Sequence, residues 1–425
     1  MTAVPPPDFA TGTPATAPPR NGGAHFTAAL LQATLSSCKV TAMVALLWEG
    51  PQVNCFACSL GLGEDPARVE RLSGALALAA GAETARVSRD TGRLVIEIPK
   101  PQAERRILRA QRLDALPPPT QTAVAIGIST GGRVAWLDLA DANTPHLLIA
   151  GTTGSGKTVA LHWLLYRLIR QNDATELKFI MLDPKRGELE PFGHVPHLLH
   201  PIASAPLEMA QLLTWGIDEL DRRLASRVRA PRVVVVIEEI ADLLKSNPDA
   251  AGALARLAQV GRGLGVHLIG VTQQPGAKSL GDALANFPAR LLGRVASATL
   301  TYGAAGRSRT QADQLLGKGD FLLITADATT RLQLPLITGQ QYGRLPYRAQ
   351  PARLDTELPV LAQLADVTGR DTRGGQTRRD LDDNQYAEID QALRTGAKAD
   401  DLRQQFGIGW DRATRIVANY RGATP

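Results

Sequence analysis

The feature that most constrains this chain is a glycine-rich segment at residues 151–158, GTTGSGKT, which matches the pattern G-x-x-x-x-G-K-[S/T]. An apolar run, HLLIA, precedes it at 146–150, and a helical pattern, TVALHWLLYRLIR, follows it at 158–170. The motif needs this order of strand, loop and helix, which argues against a glycine-rich turn that matches by chance. The segment therefore predicts a phosphate-binding loop in an α/β fold.

The residue types in this loop are suited to binding a nucleoside triphosphate. Glycines let backbone N–H groups turn inward around phosphate oxygens, and the following helix adds the positive end of its dipole. Lys157 is long enough to reach the β- and γ-phosphates, and the Thr158 hydroxyl is a ligand for Mg²⁺. We predict that ATP is bound by the whole segment: Gly151, Thr152, Thr153, Gly154, Ser155, Gly156, Lys157 and Thr158.

A nucleoside triphosphatase needs an acidic segment in addition to its phosphate loop, and RVVVVIEE at 232–239 provides one. We assign Glu238 to Mg²⁺ and Glu239 to the general base that polarises the attacking water. Adjacent side chains on a strand point to opposite faces, so the two carboxylates can have different roles. The alternative is a pair of solvated charges at a strand end.

Two further polar residues follow apolar runs. Gln273, after VT at 271–272, is either an amide that senses the γ-phosphate or a capping residue. Asp183, after FIML at 179–182, is either a cleft residue or a residue that forms a turn at the strand end.

Short apolar runs alternate with helical patterns between about 120 and 350. The predicted strands are His146–Ala150, Lys178–Leu182, Val233–Ile237, His267–Thr272, Leu291–Ala296 and Phe321–Thr325, and helices are predicted at Thr158–Arg170 and Pro206–Arg223. This alternation indicates a parallel sheet that is covered on both faces. Upstream, we predict a helix at Thr27–Ser36, strands at Val40–Leu47 and Arg93–Ile98, and a helix at Pro66–Ala80.

Composition shifts give the domain boundaries. We expect a disordered Pro- and Ala-rich leader at 1–25, a small α/β subdomain at 26–116, an ATPase core at 117–350, a polar linker at 351–380 and a small helical domain at 381–425.

Composition also excludes several classes of protein. Three cysteines in 425 residues rule out a disulfide framework, and no apolar run is long enough to span a membrane, so a soluble cytoplasmic protein is expected. The formal charge of +6 permits a nucleic-acid partner. Cys55 and Cys58 are expected to be small apolar residues of a strand, and His194, His197 and His200 to pack in a loop rather than hold a metal.

Together these residues resemble the motor of the FtsK/SpoIIIE family of DNA translocases. The segments that carry the resemblance are LLIAGTTGSGKT, FIMLDPKRGELEPF, VPHLLHPI, VVVIEEIADLL, ARLAQVGRGLGVHLIGVTQQP and QLLGKGDFLL, with the small α subdomain upstream and the winged-helix γ domain downstream. The resemblance implies a RecA-like ATPase that forms a homo-hexameric ring and pumps double-stranded DNA through its channel.

The resemblance also implies that an arginine from a neighbouring subunit stabilises the transition state. Arg290 is the first choice because it matches the family's arginine after Asn-x-Pro-x, and Arg262 and Arg294 are the alternatives. The chain departs from the family pattern at Glu238, where the family has Asp, and at Gln274, where it has Arg. The family's membrane-spanning segment is not recognised, so we expect a free or recruited motor, such as one encoded by a plasmid, phage or integrated element.

The last segment predicts a helix-turn-helix with helices at Asp382–Thr395, Ala399–Phe406 and Trp410–Tyr420. Arg412, Arg415 and Asn419 lie on one face of the last helix, where arginine suits guanine and asparagine suits adenine. The alternative for this domain is a small bundle that docks on the ring or on a partner protein.

Two other functions fit the motifs. One is a coupling ATPase that feeds DNA to a transfer or packaging channel. The other is a nucleotide-switched DNA-binding or replication protein, in which Glu238 marks lost turnover.

Overall fold

The computed structural model describes residues 23–90, 92–276, 280–307, 310–350 and 352–354, together with residues 389, 392–393, 398–406 and 417. The chain divides into two compact units. The first comprises Met1–Ala174 and Leu268–Pro346, and the second comprises Thr175–His267 and Tyr347–Pro425. The predicted domain boundaries at 25, 116, 350 and 380 stay predictions.

The helices in chain order are α1 (Ala24–Ser37), α2 (Pro66–Arg71), α3 (Ser73–Ala79), α4 (Gln111–Asp114), α5 (Lys157–Gln171), α6 (Pro206–Ser226), α7 (Ile240–Ser246), α8 (Ala250–Gly261), α9 (Ala298–Ala305), α10 (Gly339–Tyr342) and α11 (Ala399–Phe406). The strands are β1 (Ala42–Glu49), β2 (Val53–Leu60), β3 (Arg86–Asp90), β4 (Arg93–Pro99), β5 (Ala123–Ser129), β6 (Val134–Asp138), β7 (His146–Ala150), β8 (Leu177–Leu182), β9 (Arg232–Ile237), β10 (Val266–Thr272), β11 (Ala289–Leu292), β12 (Asp320–Ile324) and β13 (Thr329–Gln333).

The first unit contains a small antiparallel sheet in the order β1-β2-β4-β3. Alternation along β4 gives this sheet two apolar faces. Leu94, Ile96 and Ile98 share one core with the apolar residues of α1 and α3. Val95 packs on the opposite face with Cys55 and with Leu316, which comes from a distant part of the chain.

The same unit contains the strands that carry the phosphate loop. Their order is β6-β5-β13-β12-β11-β7-β10, where Leu268–Thr272 is the part of β10 that belongs to this unit. Only β11, β7 and β10 run parallel, and every other neighbour in this series is antiparallel. Helix α5 packs against the antiparallel part, where Trp163 Nε1 donates to the Ala125 carbonyl oxygen at 2.9 Å.

The second unit is built around the parallel pair β8 and β9, whose register runs from Leu177 opposite Arg232 to Leu182 opposite Ile237. Helix α6 packs closely on α8 at Gly216, where an added Cβ would lie only 3.2 Å from the Leu257 side chain. Arg223 of α6 is fully buried and donates to the Leu264 and Pro231 carbonyl oxygens at 2.7 and 2.6 Å. This guanidinium ties the helix to two loops.

Most predicted elements are confirmed within a few residues, including β7 and α11, which have the predicted bounds. The predicted helix at 66–80 is interrupted at Leu72 into α2 and α3. The predicted strand at 291–296 is Ala289–Leu292. The expectation of a wholly parallel sheet is wrong. The connection from β12 to β13, for example, is too short for the crossover that a parallel pair needs, so these two strands are antiparallel.

Within the described residues, no helix is long and apolar enough to cross a membrane.

Candidate nucleotide site

The phosphate loop leaves β7 and enters α5 through three glycines with left-handed backbone. Their φ values are +150° at Gly151, +80° at Gly154 and +103° at Gly156. Residues with a Cβ rarely adopt such angles. The loop therefore depends on glycine for its shape, and it ends at the N-terminus of a 15-residue helix.

The Ser155 side chain leaves no room for larger residues at the base of the loop. A Cβ at Gly151 would lie 2.8 Å from Ser155 Oγ, and a Cβ at Gly293 would lie 2.8 Å from Ser155 Cβ. The Thr152 N–H donates to the Arg294 carbonyl oxygen at 2.8 Å. The segment after β11 thus supports the loop from one side.

The two residues assigned to the phosphates and the metal lie at the start of α5. Lys157 is buried, and its Nζ donates to the Thr152 carbonyl oxygen at 3.2 Å. Thr158 follows it in the first turn of the helix and is half-buried. The ammonium group is therefore already held over the loop.

Gln273 follows β10 directly, and its side chain contacts the phosphate loop. Its Oε1 accepts a hydrogen bond from Thr153 Oγ1 at 3.0 Å, and the residue is exposed. The parallel pairing of β10 with β7, which sets Thr272 opposite Ala150, explains why the two strand ends meet. The contact places the Gln273 amide on the phosphate loop, and its sensor role stays a prediction.

The residues present fit ATP and Mg²⁺. The left-handed glycines, the helix N-terminus and Lys157 are suited to a triphosphate. The Ser155 hydroxyl is buried and makes no hydrogen bond within the described residues, so the loop contains a polar atom in need of a partner. Thr158 supplies a hydroxyl of the kind that ligates Mg²⁺ in such loops.

The acidic pair belongs to the second unit and lies just beyond β9. Glu238 and Glu239 are 5% and 1% exposed, so the alternative of solvated charges is wrong. The strand ends at Ile237, and Glu239 has a left-handed backbone (φ +54°) where it precedes α7. Both glutamates thus lie in the turn after the strand, so the strand alternation that was expected to point them to opposite faces does not apply to them. Strained backbone at a non-glycine residue is common at functional sites.

Asp183 forms the turn after β8. Its two carboxylate oxygens accept four backbone N–H bonds at 3.0–3.2 Å, from Lys185, Arg186, Gly187 and Leu189. The turn interpretation of Asp183 is thus supported over that of a cleft residue. The turn presents Lys185, whose Nζ lies 3.3 Å from Glu239 Oε2 and 3.2 Å from Asp242 Oδ2. Burial opposes the charge on Lys185, but Glu239 and Asp242 raise its pKa above the ordinary value.

The three candidate arginines differ in their surroundings. Arg290 is half-buried, and its guanidinium donates to the carbonyl oxygens of Phe287, Ala304 and Leu284 at 3.3, 2.9 and 3.2 Å. Burial, with a smaller contribution from Arg307, lowers the pKa of Arg290. Arg262 and Arg294 are exposed. A transition-state role for Arg290 stays a prediction, and it would require these carbonyl bonds to break.

Several smaller expectations have a structural answer. Cys55 and Cys58 lie on opposite faces of β2, in different apolar clusters. His194 stacks on Tyr347 with ring centroids 5.2 Å apart, a packing contact of the kind expected for this loop. Arg412, Arg415 and Asn419 lie outside the described residues, so the DNA-reading face stays a prediction.

Two features of the site were not predicted as such. Lys185 lies in the quoted segment FIMLDPKRGELEPF, but only the fold shows that it contacts Glu239. Gly317 and Gly319 lie in QLLGKGDFLL, and the turn that they form donates to carbonyl oxygens of the phosphate loop. The close glycine spacing in that segment was the available signal for a tight turn.

The FtsK/SpoIIIE family model matches residues 109–228, which include the phosphate loop and α5. The DNA translocase FtsK of Lactiplantibacillus plantarum is 30% identical over 91% of this chain and 52% of its own length. The DNA translocase SftA of Bacillus subtilis is 28% identical over 91% of this chain and 43% of its own length. This chain thus spans about half the length of the curated relatives that it matches.

Two solved structures are similar at lower identity. The pCW3 conjugation coupling protein TcpA, in its monomer form with ATPγS, has a TM-score of 0.49 and 19% identity, over 74% of this chain and 96% of its own. The cytoplasmic domain of the type VII secretion ATPase EccC from Thermomonospora curvata also has a TM-score of 0.49, with 23% identity, over 59% of this chain and 34% of its own. Residues 109–228 of this chain are therefore similar to the FtsK/SpoIIIE family, and about nine tenths of the chain aligns with proteins named DNA translocases.

Proposed function

We propose that this protein is an ATPase that translocates double-stranded DNA. The observation that carries the proposal is the phosphate loop, where three left-handed glycines and the buried Lys157 form a triphosphate site at a helix N-terminus. The work done with that site is inferred from the relatives, which are named DNA translocases. Because ATP and DNA are both found in the cytoplasm, the proposal places the protein there.

Each residue has a separate part in the proposed hydrolysis. The loop backbone and Lys157 bind and orient the β- and γ-phosphates, and Thr158 and Glu238 hold Mg²⁺. When bound, Mg²⁺ neutralises charge on the phosphate oxygens. Glu239 accepts the proton of the attacking water, and Gln273 senses the γ-phosphate beside Thr153. One of Arg262, Arg290 and Arg294 stabilises transition-state charge in a neighbouring subunit.

The proposed DNA contacts follow from the polyanionic backbone of duplex DNA. A homo-hexameric ring repeats its basic residues around the channel, so a formal charge of +6 per chain suffices for contacts that do not depend on sequence. Arg412, Arg415 and Asn419 of the C-terminal segment add base contacts in the major groove. The ring and these base contacts rest on the family resemblance and on the sequence.

A DNA-stimulated ATPase assay tests the catalytic part of the proposal. The wild type is expected to hydrolyse ATP faster with duplex DNA than without it. Glu239→Gln keeps the shape of the side chain but removes the base, and Lys157→Ala removes a phosphate contact, so both variants are expected to lose about 10²-fold or more in rate. A wild type that hydrolyses no faster than these variants, with or without DNA, would favour the nucleotide-switched alternative.

A further inference from the structure

Four charged side chains form a buried cluster in the first unit, remote in sequence from the phosphate loop. They are Arg86, Glu97, Asp320 and Arg331, which are 6%, 1%, 2% and 4% exposed. Arg331 donates to both oxygens of Asp320 at 2.9 and 2.7 Å and to Glu97 Oε2 at 2.7 Å. Arg86 donates to Glu97 Oε1 at 2.7 Å, so the charges of the cluster sum to zero.

The cluster joins two sheets. Arg86 and Glu97 belong to β3 and β4 of the small sheet, whereas Asp320 and Arg331 belong to β12 and β13. Apolar side chains of similar size would hold two sheets together at least as well, because burying charge costs desolvation free energy. A charged cluster with directional bonds instead fixes one position of β12 and β13 on the small sheet.

Asp320 also closes the turn that precedes β12. Its Oδ2 accepts the Leu316 N–H at 2.8 Å, and the next three residues, Gly317, Lys318 and Gly319, are all left-handed. The Lys318 carbonyl oxygen accepts side-chain bonds from Gln333 and Gln52, each at 3.2 Å. Gln52 lies between β1 and β2, so the small sheet holds the turn directly as well as through the cluster.

The far side of this turn touches the phosphate loop. The Lys318 N–H donates to the Gly154 carbonyl oxygen at 3.3 Å, and the Gly319 N–H donates to the Ser155 carbonyl oxygen at 3.0 Å. A Cβ at Gly156 would lie 3.0 Å from the Gly319 nitrogen, so the two backbones are in close contact. The bonds therefore run without a gap from the small sheet, through the cluster and the turn, to the loop.

We propose that the small sheet positions the phosphate loop through this cluster and turn, and so couples its own state to nucleotide binding. Glu97 and Gln52 are then positioning residues for the ATP site, although neither belongs to the loop. Since coupling between two sites is reciprocal, bound nucleotide also stabilises the small sheet. The inference rests on the proposed function only in that the loop binds ATP.

The test measures the Kd for ATPγS with Mg²⁺ in the full chain, under conditions where every variant is folded. Glu97→Gln keeps the shape of the side chain but removes the charge that Arg86 and Arg331 share. Ile96→Val is the matched control, since Ile96 is the adjacent residue of β4 and packs on the opposite face of the small sheet. Gln52→Ala removes a direct bond to the turn and leaves all four charges in place.

We expect Glu97→Gln to weaken ATPγS binding about fivefold or more, a typical size for coupling between sites. Gln52→Ala is expected to weaken binding in the same direction by less, and Ile96→Val to leave the Kd within about twofold because it only trims a core methyl group. In the wild type, ATPγS is also expected to slow amide hydrogen exchange in β4. Lys157→Ala, which binds the nucleotide poorly, is expected not to show that slowing at the same ATPγS concentration.

The inference is overturned if Glu97→Gln and Gln52→Ala bind ATPγS as the wild type does, or if Ile96→Val weakens binding equally. If Glu97→Gln does not fold, Gln52→Ala and the exchange measurement decide. A wild type that does not bind ATPγS at all overturns the proposed function together with this inference. A wild type that binds it while both variants are unaffected overturns the inference alone.

Discussion

Lys185 Nζ lies 3.3 Å from Oε2 of Glu239, the residue assigned as the general base. Lys185 is half-exposed, whereas Glu239 is 1% exposed and has a left-handed backbone. Lys185 belongs to the turn after β8, and the Asp183 carboxylate fixes that turn by accepting four of its backbone N–H groups. The turn thereby places Lys185 against Glu239. In this arrangement the Lys185 ammonium group contacts the Glu239 oxygen that, in the proposed reaction, accepts a proton from the attacking water.

Lys185→Met is therefore expected to raise ATP hydrolysis in the absence of DNA. A partly exposed ion pair contributes about 1 kcal/mol at most, which corresponds to about fivefold in rate. The measurement is the steady-state ATPase rate with and without duplex DNA. Lys185→Arg keeps the charge and is expected to behave like the wild type. A fall in the Lys185→Met rate to that of Glu239→Gln would show instead that the lysine assists the base.

Arg223→Met is expected to destabilise the protein far more than Arg222→Met. Arg223 is fully buried and donates to two carbonyl oxygens as well as to Glu219 Oε1 at 2.6 Å. Its neighbour Arg222 binds the same glutamate from the surface. Loss of the buried guanidinium should lower the free energy of unfolding by about 3 kcal/mol, and loss of the exposed one by less than about 1 kcal/mol. Urea unfolding of the two variants measures both values, and equal effects would contradict this account of α6.

Glu97 gives the stability a dependence on acid pH. Burial alone would raise the pKa of Glu97, but Arg86 and Arg331 outweigh it and hold the pKa below its ordinary value of 4.5. A carboxyl group with a lowered folded-state pKa adds stability above the unfolded-state pKa, and that stability is lost as pH falls through the folded-state pKa. The difference in unfolding free energy between the wild type and Glu97→Gln should therefore be largest at neutral pH and shrink below about pH 4.5. A difference that stays constant to about pH 3 would contradict the assigned charge.

Arg290→Ala is expected to lower stability, because its guanidinium holds three carbonyl oxygens near β11. The exposed Arg262 and Arg294 are expected to tolerate alanine within about 0.5 kcal/mol. Thermal unfolding separates these effects. Subunit mixing then tests the catalytic role, since a variant that lacks an arginine acting in trans should recover ATPase activity when mixed with Lys157→Ala subunits. Recovery with Arg262→Ala or Arg294→Ala, but not with Arg290→Ala, would replace the first choice made from the sequence.

The phosphate loop and its two flanking elements were predictable because their signals are local. The motif at 151–158 fixes the loop, and the periodicity of the apolar residues on either side separates strand from helix. Strand direction is not local in this sense. β12 looks like any other buried strand. Its short connection to β13 requires that pair to be antiparallel, but nothing local indicates that β12 also runs antiparallel to β11.

The charged cluster was not predictable for a related reason. Glu97 and Arg331 are 234 residues apart, and each alone looks like an ordinary strand residue. No pattern in the sequence indicates that β3 and β4 of the small sheet pack near β12. The left-handed backbone of Glu239 is likewise set by the turn into α7 rather than by the residue type, since glutamate has no preference for that conformation.

Displacement of a third DNA strand from a duplex is the most direct measurement of the central claim, because it reports movement along DNA rather than hydrolysis. The wild type with ATP and Mg²⁺ should release a triplex-forming strand placed at a distance from the site where the protein loads. Glu239→Gln and Lys157→Ala should leave the triplex intact at the same protein concentration. If the wild type hydrolyses ATP in response to DNA and the triplex still remains intact, the protein is not a translocase.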